Sequence, residues 1–200
     1  MDGNWLVLGD KSGSMENAIE GANQVASTLA KMVTGKVTLI FFDTQPTYID
    51  VTNLTYDQIK AKTKYIKAQG GTSIGCGLLA AMDRKVEIDG IAIVSDAAEN
   101  GIPYFADQYN KFVKDYGKES PVYLYRVGTD MSSYSDRDLA NSMKAAGHDL
   151  QEFDLRRGFD FYSLPNLVAT MRTNRYSLAD EILATPLLTL ADVLKEDANA

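Results

Sequence analysis

The chain has 200 residues, 45% hydrophobic and 24% charged, with a formal net charge of −7. That length and balance suit one globular domain with its own core, and the acidic balance argues against broad attraction to nucleic acid or an anionic membrane. Cys76 is the only cysteine, which excludes an internal disulfide and a cysteine-based zinc site. No apolar run approaches the length of a membrane span and no secretory leader pattern opens the chain, so a cytoplasmic protein is expected.

The apolar run "NWLVLG" predicts a buried strand. From Met15, apolar residues recur at Ile19, Ala22, Val25, Ala26, Leu29 and Met32, which is helical spacing, and Gly35 closes the segment. "KVTLIFF" is a β-branched and aromatic strand, and "TYIDVTNL" after Pro46 is its hairpin neighbour. "TYDQIKAKTKYIKAQGG" predicts a polar helix ended by glycine, with Lys60, Lys64 and Lys67 on one face, and "SIGCGLLAAMDRK" a more apolar one. "GIAIVSD" is an apolar strand stopped by Asp96. "PYFADQYNKFVKDYG" is a helix with Pro103 near its first turn and Gly117 near its end. Its stripe of Tyr104, Phe105, Tyr109, Phe112 and Tyr116 reads as core packing. "PVYLYRV" is a strand, "SDRDLANSMKAAG" a helix capped by Ser135, "HDLQEFDL" a strand and "SLPNLVATMRTN" a last helix.

Strands alternate with helices almost throughout, and several strands are apolar on both faces. That pattern predicts an α/β, Rossmann-like three-layer sandwich: a mostly parallel sheet with one antiparallel edge strand and helices on both faces. Ligands of such sheets bind beyond the carboxyl ends of the strands, where connections diverge. "LGDKSGS" and "IVSDAAEN" both lie there. The domain is expected over residues 1–175. The apolar tail 176–200 is expected to pack on the body or bind a partner.

Asp10, Ser12 and Ser14 alternate after the first strand, Thr72 sits in the loop "QGGTSIG", and Asp96 ends another strand. Their hydroxyl and carboxylate oxygens are hard ligands that suit Mg²⁺, with Mn²⁺ or Ca²⁺ as alternatives. Three of the five are neutral, so a bound dication keeps much of its charge and attracts an anionic oxygen from outside. Lys11, Gly71, Ser73 and Glu99 are candidates for the rim that meets the partner. The plain alternative is a turn and a helix cap, the ordinary use of Ser and Asp.

Other chemistries fit less well. "GTSIG" matches the G-x-S-x-G nucleophile string around Ser73, and Asp96 and His148 follow in hydrolase order, but a lysine-rich helical segment precedes it where a buried strand is required. An aspartyl-phosphate mechanism on Asp10 needs an acid two residues on, where Ser12 stands. "GCGLLA" lacks the preceding strand of a dinucleotide site. His148 reads as a surface or strand-start residue, and Cys76 as a small buried one.

In order, spacing and strand-end placement, Asp10-x-Ser12-x-Ser14, the Gly-Gly-Thr loop of Thr72 and Asp96 together resemble the metal-ion-dependent adhesion site (MIDAS) of the von Willebrand factor A (VWA) family. The likeness runs from about residue 4 to 172. It is nearest to the A domain of the Ro, or TROVE, group, through "FFDTQPTYIDV", the Gly-Gly-Thr loop and Gly158, Phe159 and Asp160. The resemblance implies a non-catalytic, intracellular module in which a bound Mg²⁺ coordinates an Asp or Glu of a protein partner. Lys11 departs from the pattern, standing where an apolar residue is usual. The helical ring that holds RNA in Ro proteins is absent, so direct RNA binding is not implied, although a ribonucleoprotein-associated role is a further alternative.

Overall fold

The computed structural model describes residues 2–128 and 137–156. Six strands form one sheet: β1 (Trp5–Asp10), β2 (Val37–Phe42), β3 (Pro46–Asp50), β4 (Gly90–Ser95), β5 (Val122–Arg126) and β6 (Gln151–Asp154). Five helices stand between them among the described residues: α1 (Glu16–Met32), α2 (Tyr56–Thr63), α3 (Ile74–Asp83), α4 (Phe105–Tyr116) and α5 (Leu139–Ala145). The strand order is β3-β2-β1-β4-β5-β6, and only β3 runs antiparallel to its neighbour. This is the α/β, Rossmann-like sandwich expected from the alternation of elements. No helix among the described residues is long and apolar enough to cross a membrane.

Burial explains the strand sequences. β1, β2 and β4 are buried at every position, as continuous apolar runs require when both faces of a parallel sheet are covered. The edge strand β3 alternates, with Ile49 buried between exposed Tyr48 and Asp50. One face joins Leu6, Leu8, Ile40, Phe42, Ile91 and Ile93 to α3, α4 and α5 in a single cluster. α1 packs on β1, β2 and β4 over the other face. There Gly9 lets the helix in: a Cβ on it would stand 2.6 Å from the Ala22 Cβ and 2.8 Å from Phe41 Cε1. The aromatic stripe of α4 is core, with Phe105, Tyr109 and Phe112 buried. Gly117, at φ 66°, ends that helix in the left-handed conformation glycine adopts without strain.

Three boundaries differ from the sequence expectation. α2 starts at a capping box between Thr55 and Gln58 but stops at Thr63. The Ile66 N–H bonds back to the Thr63 carbonyl at 2.8 Å and Ile66 is buried, so the chain turns to seat that side chain. Lys64 and Lys67 are therefore not on a helix face, and Lys60 reaches Glu20 at 3.5 Å. The α5 cap is Asp138, which accepts from the Asn141 N–H at 3.0 Å; Ser135 lies outside the described residues. α4 begins at Phe105, two residues after Pro103. The expected last helix, Gly158, Phe159, Asp160 and the 176–200 tail also lie outside the described residues.

Gly9→Ala should cost about 1–3 kcal/mol by overpacking the α1–β1 contact. Chemical denaturation of the two proteins would show it as a lower midpoint with an unchanged slope.

Candidate functional site

β1 and β4 are neighbours, in register from Trp5↔Gly90 to Gly9↔Val94, so their carboxyl ends open side by side. At that edge Asp10 is fully buried. Its Oδ1 accepts from the Ser12 N–H at 2.8 Å, and its Oδ2 from the Ser95 hydroxyl at 2.6 Å. The Ser95 Oγ in turn accepts from the Ala97 N–H at 3.0 Å. Burial pushes the Asp10 carboxyl up to about 6, against the lowering effect of these bonds, and nearby Asp96 adds a like charge. Asp96 is also buried and also raised by burial, with Arg126 opposing. Its Oδ1 accepts from the Ala98 N–H at 3.0 Å, across a turn in which Ala97 holds φ 69°.

The chain leaves Asp10 through a turn closed by the Met15 N–H on the Ser12 carbonyl at 2.9 Å. Ser12 is buried and Ser14 exposed. Neither serves as the helix cap: the α1 cap position is Met15, with no side-chain cap bond. The Asx-type turn on Asp10 is thus real, while the helix-cap half of the plain alternative is not realised.

The Gly-Gly-Thr loop is stitched to this turn on one side and to the segment after β4 on the other. The Gln69 N–H donates to the Lys11 carbonyl at 2.7 Å, and the Gly13 N–H to the Gly70 carbonyl at 3.1 Å. The Thr72 N–H donates to Asn100 Oδ1 at 2.8 Å, and its carbonyl accepts from Asn100 and Gly101 at 3.1 and 2.9 Å. The three segments carrying Asp10, Ser12, Ser14, Thr72 and Asp96 therefore form one continuous edge. Among the described residues no group of three or more His, Cys, Asp or Glu side chains is placed to hold a metal ion, so a cation at this edge would depend on hydroxyl oxygens.

The four expected rim residues are mostly inside. Lys11 is buried and its ammonium is paired with Asp43, which is also buried. It is not a free cation beside the site. Asp43 also accepts from the Gln45 N–H at 2.6 Å, and its carbonyl holds the Ser73 N–H at 2.8 Å. Glu99 is 3% exposed. Its Oε1 accepts from the Ile74 N–H at 3.1 Å and the Phe105 N–H at 3.0 Å, the first residues of α3 and α4. Neither helix has a side-chain bond from its own cap residue, so one carboxylate serves both positive ends. Burial pushes it up to about 7. Ser73 is fully buried and donates to the Pro103 carbonyl at 2.7 Å. Gly71 alone is partly open.

The hydrolase arrangement is not assembled. Ser73 has a backbone carbonyl for a partner, and His148 bonds Glu119 and Asn110 at 3.2 and 2.7 Å and packs on the Tyr109 ring, against the middle of α4. Gly75 of the "GTSIG" string is a packing glycine, since a Cβ there would meet the Pro103 carbonyl at 2.5 Å. Burial raises the Cys76 thiol to about 11, which fits a packed, unreactive residue.

Sequence reasoning passed over Asp43, Ser95, Asn100 and Arg126. The last, 6% exposed, donates to the Asp96 carbonyl at 2.8 Å, to Asp138 at 2.9 Å and to Glu152 at 2.6 Å, tying β5, β6 and α5 to the strand end. An arginine closing an apolar strand was the available signal.

No protein-family model matches this sequence, and no curated protein matches it. Solved structures do share its fold. A von Willebrand factor type A protein from Catenulispora acidiphila superposes with a TM-score of 0.57 at 13% identity, over 85% of this chain and 42% of that one. The mussel byssus proximal thread matrix protein 1, solved with a zinc-occupied MIDAS motif, gives 0.55 at 15% identity, over 85% and 47%. The Ro protein of Deinococcus radiodurans gives 0.52 at 15% identity, over 81% and 34%. The chain thus has the VWA-domain fold and spans less than half the length of each of these proteins. The Ro structure stands among the others rather than apart from them, so the nearness to Ro expected from "FFDTQPTYIDV" is not a property of the fold.

Two outcomes follow from the buried charges. Between pH 4.5 and about 7 the native Glu99 holds a proton that the unfolded chain has lost, so stability falls as pH rises, by on the order of 3 kcal/mol. Asp10 contributes with the same sign. Glu99→Gln keeps an oxygen for both N–H donors and should flatten, not abolish, that fall in urea titrations at pH 4.5 and 7.5. Lys11→Met leaves Asp43 buried and unpaired and should cost about 3–5 kcal/mol, much of it recovered in Lys11→Met/Asp43→Asn. Equal destabilisation of the single and double variants would contradict the pairing.

Proposed function

We propose that this domain binds a divalent cation, Mg²⁺ foremost, through Asp10, Ser12, Ser14, Thr72 and Asp96, and uses it to recognise a protein partner that offers an Asp or Glu carboxylate. The observation that carries the reading is the stitching of the three segments into one edge, with two buried carboxylates on adjacent strand ends. Among the described residues the groups that donate to Asp10, from Ser12 and Ser95, are neutral, and none is a cation. Hard hydroxyl and carboxylate oxygens are the donor types that Mg²⁺ and Mn²⁺ take. When bound, the ion would supply an open coordination position for an external carboxylate oxygen.

The protein's own part is placement. Ser95 and the Ser12 N–H hold Asp10, Asn100 and Gly101 hold the Thr72 backbone, and Arg126 holds the Asp96 carbonyl. The partner surface is set by exposed Ser14 and partly open Gly71, with Lys11, Ser73 and Glu99 supporting it from beneath. We assign no catalytic step. The fold likeness to a protein with a zinc-occupied MIDAS motif supports the reading by analogy.

Mg²⁺ or Mn²⁺ should raise the melting temperature, and EDTA should reverse it, because a ligand of the native state alone stabilises by about 2.7 kcal/mol at 100 times its Kd. Ser14→Ala removes an exposed hydroxyl without disturbing the core, and Thr72→Val a buried one; both should weaken the effect at least tenfold while leaving the EDTA melting curve near wild type. A folded wild type indifferent to Mg²⁺, Mn²⁺ and Ca²⁺ would sink the proposal.

A further inference from the structure

At the amino-terminal edge of the sheet, opposite the strand-end site, a cavity of about 350 Å³ opens between β2, β3 and the segment after α3. Three cations line it: Lys36, Arg84 and Lys85. Glu87 is the single carboxylate in its wall, and it already accepts from Asn4 Nδ2 at 3.1 Å. Thr38 and Tyr48 add hydroxyls. A positive cavity in a chain of net charge −7 concentrates anions locally against the overall field.

Two further observations show how the cations are held. The Arg84 guanidinium lies over the Tyr48 ring at 5.0 Å, and one of its nitrogens donates to the Ala80 carbonyl at 3.4 Å. Stacking fixes the plane and leaves the remaining guanidinium edge for an oxyanion. Lys85 sits just past the end of α3 at φ 53°, with its N–H on the Met82 carbonyl and the Val86 N–H on the Ala81 carbonyl. That is a helix-ending turn in which glycine is the relaxed residue. A lysine there bears backbone strain, at a residue that lines the cavity.

We propose that this cavity binds a small phosphate ester, its phosphoryl oxygens taken by Arg84, Lys85 and Lys36. The volume is at the lower end of small-ligand sites, which favours a compact phosphorylated metabolite over a macromolecule. A phosphate dianion matches several converging cations better than a single carboxylate does, and the planar guanidinium fork binds it in two-point fashion. The inference is independent of the cation reading, since it uses the opposite edge of the sheet.

Inorganic phosphate and phenyl phosphate are the probes, titrated at constant ionic strength against chloride. Binding should shift the amide resonances of Thr38, Lys85 and Val86 and leave those of Gly13 and Thr72 in place. Arg84→Gln and Lys85→Gly should each weaken binding at least tenfold, whereas Lys111→Gln, an equal charge change on the exposed face of α4, should not. Lys85→Gly should also melt higher than wild type, because glycine relieves the turn. Tighter binding of phenyl phosphate than of phosphate would assign the Tyr48 wall to the ester group. Equal affinity in Lys85→Gly and wild type, or shifts no larger than chloride produces, would overturn the proposal and leave these cations as helix-end charges only.

Discussion

The parallel pairing of β1 with β4 is the constraint on which the carboxyl edge depends. The chain leaves β1 toward β2 and leaves β4 toward β5, so the two connections part and open a crevice between them. Both strands are buried on both faces, and their last residues are polar. Asp10 and Ser95 cannot reach bulk water and must satisfy each other, which they do through one short hydrogen bond. The turn after β1, the Gly-Gly-Thr loop and the segment after β4 then close around that bond, each held by the backbone groups of the next.

Buried charge is managed in three places around this edge. Lys11 and Asp43 neutralise each other beneath the Gly-Gly-Thr loop. Arg126 gathers Asp138, Glu152 and the Asp96 carbonyl. Glu99 spans the first turns of α3 and α4. Each arrangement costs desolvation and returns position: loops that carry no regular structure acquire fixed geometry from a charge that tolerates no other partner. The opposite edge is built otherwise, with exposed cations at a helix end and one carboxylate in the cavity wall, Glu87, which is itself exposed.

Most of the fold was legible because its signals are periodic. The β-branched and aromatic apolar runs read as strands covered on both faces, and the 3.6-residue stripe of α4 as a helix packed on one. The end of α2 was not legible. Lysine and alanine favour helix as far as Gly70, but burying Ile66 outweighs local propensity and turns the chain at Thr63. The three lysines that looked like one face are consequently split between a helix and an irregular segment.

For the candidate site, the sequence by itself determined which oxygens stand at strand ends, since a strand of apolar residues must stop where a carboxylate begins. It also determined the sheet edge on which they gather, because alternating strands and helices leave parallel strands pointing the same way. Only the tertiary structure decided which polar side chains face outward. Lys11, Ser73 and Glu99 are as polar as Ser14 in a string of letters, yet a buried counter-ion, a carbonyl and two helix ends draw them inward. Those partners lie 25 to 32 residues away for Lys11, Ser73 and the α3 end of Glu99, and six away for its α4 end. No local pattern records them, because the energy that turns a side chain inward comes from the partner rather than from its neighbours in the chain.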